Sequence, residues 1–184
     1  MPRTSEKDLF GQIIKQHQPR LRSILKKFDT RTFEDRLARL KHLQTIFPKG
    51  YSFLSSPETF FVFNEAKMAF INGEFISTIL LAQAFIEHKF QCVIDQKGES
   101  KIANAGLAAM TKYLAEKKLL HAFLIQKVDK LRKIRNPFVH LQTHYNSDSI
   151  SSRVAQEQRR PEQIFAKDAE QALALMYQIA TTKM

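Results

Sequence analysis

The 184-residue chain has one cysteine, no tryptophan, five glycines and six prolines. A single thiol, Cys92, excludes an intrachain disulfide and any metal site built from several cysteines. Its neighbours Phe90, Val93 and Ile94 predict a buried, inert thiol. The scarcity of turn residues, with no alternating β-branched runs, argues against a sheet and for an all-helical chain. No apolar run is long and clean enough to read as a membrane span: "FISTILLAQAFIEHKFQCVI" is interrupted by Gln83, Glu87, His88 and Lys89. The opening "MPRTSEKDLF" lacks the apolar core of a secretory signal. The expectation is therefore a cytoplasmic protein with no membrane partner. There is no Gly-rich phosphate loop and no nucleophile elbow, and no internal repeat.

What is present is ordinary globular composition, 43% hydrophobic and 26% charged, with fifteen phenylalanines that predict a Phe-rich core. The net charge of +11 is uneven. Residues 1–49 carry 12 Lys/Arg against 5 Asp/Glu, and residues 112–135 carry 8 against 2. Residues 50–111 carry 4 against 6, and residues 136–184 carry 5 of each. Two basic blocks attract polyanions, of which nucleic acid is the commonest.

Periodicity predicts a helix over residues 5–28 with Leu9, Ile13, Leu21, Ile24, Leu25 and Phe28 on its apolar side, interrupted at Pro19. "TFED" at 32–35 resembles a capping box opening a second helix to about Phe47, with Leu37, Leu40 and Leu43 on its stripe. Ser56-Pro57-Glu58 combines an N-cap, a first-turn proline and a first-turn acid, and starts a helix to Asn72-Gly73. A helix from Glu74 to about Asp95 is apolar on most faces and is expected to be the most buried. A short helix near 104–118 and a basic one at 120–135 follow. Residues 146–161 are polar and read as a loop, and Pro161 starts a last helix to about 182, with Ile164, Ala172, Leu175, Met176 and Ile179 inside. Phe60, Phe61 and Phe63 read as core. The expected organisation is a basic N-terminal helical extension, residues 1–50, followed by a helical bundle, residues 57–182.

The stretch "KIRNPFVHL" closes the basic helix. Leu124, Val128 and Leu131 are spaced by four and three, and Arg135 comes four later, so its guanidinium runs along the apolar stripe. A charge there needs a carboxylate, carbonyls or a bound anion. Lys130 and Lys133 fall off the stripe and, with Lys127, are candidate phosphate contacts. On an unbroken helix His140 would lie about 140° round the axis from Arg135. A break at Asn136-Pro137 would bring the two side chains to one side. Two readings stand. In one, Arg135 pairs with a distant acid such as Glu87 while His140 packs or caps. In the other, arginine holds a phosphodiester and histidine moves a proton. His140 and His144 are four apart, but no third ligand is evident and no metal site is expected.

Arg135-Asn136-Pro137-Phe138-Val139-His140 resembles the R-x4–6-H motif of the HEPN superfamily, in which asparagine often follows the arginine. "EAKMAFINGEFISTILLAQAFIEHKF" (65–90) is similar to the antiparallel helix pair that precedes the motif, and "DAEQALALMYQIA" (168–180) to the closing helix. The resemblance covers roughly residues 57–182. It implies an up-and-down bundle, a homodimer with facing motifs, and metal-independent cleavage of RNA by its own 2′-OH, with no cofactor. Arg135 would hold the scissile phosphate, His140 would act as acid/base, and Asn136 would orient the backbone or substrate. Glu87 is a candidate orienting acid. Toxin and defence members imply an antitoxin or other protein partner. HEPN toxins paired with nucleotidyltransferase antitoxins often carry tyrosine two residues after the histidine; here that residue is Gln142, and Tyr145 is five after. Degenerate members only bind RNA, nucleotides or proteins. A DNA-binding regulator finds no support in any helix-turn-helix pattern.

Overall fold

A computed structural model describes residues 18–47, 56–140 and 149–184. Among these, eight helices and no strand are found: α1 Gln18–Ile46, α2 Pro57–Asn72, α3 Phe75–Asp95, α4 Ser100–Ala103, α5 Leu107–Glu116, α6 Ala122–Val139, α7 Ile150–Glu157 and α8 Pro161–Thr181. The chain is thus all-α, as its composition implied. It divides into two compact units, residues 1–38 and 39–184. The expected helix start at residue 5, with Leu9 and Ile13, lies outside the described residues, as do Gln142, His144 and Tyr145.

In the first unit, α1 runs on through the segment read as a capping box. Thr32 does not cap a new helix. Its hydroxyl donates back to the Phe28 carbonyl (3.0 Å), and the Thr30 hydroxyl donates to Lys26 O (2.9 Å). Hydroxyls that bond back one turn are compatible with a continuous helix. Arg36 meets the Asp29 carboxylate at 3.4 Å, two turns earlier.

The second unit is built on α2, α3 and α8. α2 begins where expected: the Ser56 hydroxyl accepts the Thr59 N–H (3.3 Å), and Pro57 occupies the first turn. It ends at Gly73, whose φ of +83° suits glycine. The Glu74 N–H reaches back to Ala69 O (2.8 Å) and the Gly73 N–H to Phe70 O (3.0 Å), satisfying carbonyls the helix leaves open. α3 packs against α2, α4, α5, α6 and α8. It is central, as expected, and carries Ile79, Phe85, Ile86, Phe90 and Ile94 fully buried, sharing the core with α8. α8 packs chiefly against α3 and buries small and large apolar residues, among them Ala169, Ala172, Leu173, Met176 and Ile179.

The core is phenylalanine-rich. Phe63, Phe70, Phe85 and Phe90 are all fully buried. Phe47 meets Phe63 and Tyr177 edge-on at 5.4 and 5.3 Å, and Phe63 lies 5.2 Å from Phe85, spacings at which aromatic pairs attract. Phe60 and Phe61, read as core from sequence, are exposed. They stand beside buried Thr59 and Phe63 on a helix whose inner face is narrow. Cys92 is also exposed, against expectation. On α3, Phe85, Ile86, Phe90 and Ile94 hold the inner face, which turns Cys92 outward; the Gln96 amide approaches its sulfur at 3.4 Å.

Candidate functional site

α6 is held along its length against α8. Val128 and Leu131 are buried at its inner face. Lys127 Nζ donates to Gln178 Oε1 (3.0 Å) and Lys130 Nζ to Gln171 Oε1 (3.2 Å). Near the C-terminal end of α6, the Phe138 ring meets Phe165 edge-on at 5.5 Å. These contacts fix the segment that carries the motif.

The end of α6 departs from the sequence reading. The helix does not break at Asn136-Pro137 but continues to Val139, with His140 as its C-cap. Pro137 has no N–H to give to the carbonyl one turn back. The turn survives because the His140 N–H still donates to Asn136 O (3.0 Å). An unbroken helix leaves His140 about 140° round the axis from Arg135. Arg135, Asn136 and Phe138 are half-buried, whereas His140 is exposed. Among the described residues, no hydrogen bond or ion pair joins Arg135 to His140, Asn136 or any acid.

The distant-acid reading of Arg135 names Glu87, and Glu87 is engaged elsewhere. Its carboxylate accepts a 2.7 Å bond from the buried Gln83 amide, one turn earlier on α3. Gln83 Oε1 is itself buried without a partner among the described residues. Lys133 is exposed and, like Arg135, has no counter-ion among them. Arg132 on the same helix lies 3.7 Å from the Asp129 carboxylate.

Sequence reading missed the neighbouring element. Residues 150–157, read as loop, form α7. Ser149 caps it, its hydroxyl accepting the Ser152 N–H (3.2 Å). Arg153 on α7 then reaches Asp168 on α8 with two bonds of 2.6 and 2.9 Å, and Glu157 at 3.3 Å. Asp168 is 2% exposed. This arrangement holds the Glu157 carboxyl below the ordinary glutamate value: burial pushes it up, but the Arg153 hydrogen bond, with the Lys167 and Arg153 charges, outweighs that. The Arg153 guanidinium is shifted up by the Asp168 bond. One sequence signal pointed here. Asp168 falls four residues after Ile164 and four before Ala172, on the apolar stripe of α8, where a carboxylate requires a cationic partner.

Lys130 and Lys133 from α6, with Arg153, Lys167 and Asp168, border a cavity of about 220 Å³ between α6, α7 and α8. Among the described residues no group of His, Cys, Asp and Glu is arranged to hold a metal ion, and no helix is long and apolar enough to cross a membrane. Compared with known proteins, the chain matches no family model, no curated protein and no solved structure.

Proposed function

We propose that the protein is a HEPN-type, metal-independent endoribonuclease of the toxin or defence kind, acting as a homodimer. One observation carries this reading. A half-buried guanidinium, Arg135, stands without a carboxylate among the described residues, on a basic helix that ends in an exposed histidine. A semi-buried arginine without an acid is suited to an external anion, and a phosphodiester matches its fork of donors.

In this mechanism Arg135 donates to the non-bridging phosphate oxygens. A His140 imidazole removes the 2′-OH proton, and the 2′-oxygen forms its bond to phosphorus. The bond to the 5′-oxygen breaks, and that oxygen takes a proton from a second His140. The products are a 2′,3′-cyclic phosphate and a 5′-hydroxyl, with no metal consumed or required. One chain supplies one histidine, so the second comes from a second copy. Asn136 orients the substrate from the same turn. Lys127, Lys130 and Lys133 supply backbone attraction that weakens with salt.

A second reading has its own observation. The unbroken end of α6 puts His140 well round the axis from Arg135, which suits a non-catalytic module that binds RNA, nucleotide or protein. End-group analysis of RNA incubated with the full chain in EDTA separates the two. The nuclease yields 2′,3′-cyclic phosphate ends; intact RNA, or 3′-hydroxyl ends, overturns it.

A further inference from the structure

The groove between α6 and α8 has two unlike halves that adjoin. The cavity of about 220 Å³ already described is its cationic half. The second, of about 280 Å³, has an apolar floor of Leu131, Ile134, Ala172, Ala174 and Leu175. Lys130, Ile134, Asp168 and Gln171 border both. Taken together they reach the roughly 300–1,000 Å³ typical of small-molecule sites.

The charges decide what the cationic half accepts. Its two acids, Glu157 and Asp168, are already engaged: Asp168 by both Arg153 nitrogens, Glu157 by Arg153 and by Lys167 at 3.5 Å. That leaves Lys130 and Lys133. Among the described residues, Lys130 hydrogen-bonds only the neutral Gln171 side chain, and Lys133 has no hydrogen-bond or ion-pair partner. Two uncompensated ammonium groups at the mouth match one phosphate. Next to them, apolar side chains and the Gln171 amide offer a face for a ring and a group able to bond its edge. Gln171 Oε1 is taken by Lys130, so its Nε2 is left to donate.

We infer that the α6–α8 groove is a nucleotide subsite, with the phosphate between Lys130 and Lys133 and the base over Ile134, Ala174 and Leu175. The occupant is a nucleoside phosphate, either one unit of a single-stranded RNA or a free nucleotide. For the class of polymer the inference rests on the reading above; it does not require cleavage. If the strand is RNA, the groove selects single strands, because a paired base cannot turn its face into the floor.

The test uses the full chain carrying His140→Ala, so that the probe is not consumed. A fluorescently labelled short oligouridylate is bound and then competed with uridine monophosphate, ribose 5-phosphate and uridine. Uridine monophosphate is expected to compete roughly tenfold better than ribose 5-phosphate, the difference being base contact. Ala174→Phe, which fills the floor, should remove that difference. Lys130→Gln with Lys133→Gln, both at exposed positions, should weaken the oligonucleotide on the order of tenfold and flatten its salt dependence. Free nucleotide competing as well as the oligonucleotide, nucleotide for nucleotide, identifies a mononucleotide site; much stronger competition by the strand identifies an RNA track. Equal competition by uridine monophosphate and ribose 5-phosphate overturns the base site. Binding untouched by the lysine substitutions overturns the groove altogether, as does tighter competition by an acidic peptide. Failure of cleavage alone, with these binding results intact, overturns the nuclease reading and leaves the subsite standing.

Discussion

Replacing Arg153 with methionine is expected to destabilise the second unit strongly. The Arg153 side chain is 17% exposed and that of Asp168 3%, and two bonds of 2.6 and 2.9 Å join them. A surface ion pair would contribute at most about 1 kcal/mol. This one is different, because methionine leaves the Asp168 carboxylate buried with no counter-charge. Breaking a buried pair on one side costs about 3–5 kcal/mol. In a domain of this size each kcal/mol moves Tm by roughly 2–4 °C, so the fall should be on the order of 10 °C. Circular dichroism melts of the wild type and Arg153→Met measure it. The double variant Arg153→Met/Asp168→Leu should recover most of the loss, since no charge then remains buried. A single-variant fall under about 3 °C, in the range of exposed pairs, would refute the reasoning, and so would a double variant no more stable than the single.

Glu157→Gln should cost stability at neutral pH but not in acid. The folded carboxyl lies below its ordinary value, so its contribution is present above the unfolded value of about 4.3 and is lost as pH falls through the folded one. Urea midpoints at pH 7 and near pH 3 check this, and a gap that persists in acid contradicts it. Gly73→Ala should destabilise by about 1 kcal/mol, because φ is +83° and the added Cβ would sit 3.3 Å from Arg39 Nη2. That arginine donates to the Ile71 carbonyl at 2.8 Å and is not free to withdraw. Cys92 should react with a thiol reagent in the native protein at close to the rate of the urea-unfolded chain; strong protection would mean that it is covered.

Much of the fold was legible in local chemistry. Ser56-Pro57 and Gly73 mark the ends of α2 because caps act through neighbouring backbone groups, which sequence alone displays. Pro161 starts α8 for the same reason. What was not legible depended on distant partners. α7 looked like loop because its residues are polar and its hold on the bundle includes long-range ion pairs to α8, Arg153 to Asp168 and Glu157 to Lys167. Thr32 looked like a cap because a threonine can serve either end of a helix, and only the continuing backbone decides. At the site, the stripe of α6 correctly placed Val128 and Leu131 inside and Lys130 and Lys133 outside. Pro137 does not end the helix: close to a C-terminus a proline costs one hydrogen bond, which the packing of Phe138 on Phe165 can offset. The cationic half of the groove was half visible, as Lys130 and Lys133, while Arg153 and Lys167 join it only through the fold.

Arg135 and His140 are proposed to cleave RNA without a metal. The most direct measurement incubates purified wild type, Arg135→Ala and His140→Ala with mixed RNA in excess EDTA, after melts establish that all three fold. Cleavage by the wild type alone is expected, with RNA binding weakened more by Arg135→Ala than by His140→Ala. Cleavage undiminished in His140→Ala, or none by the wild type, would contradict it.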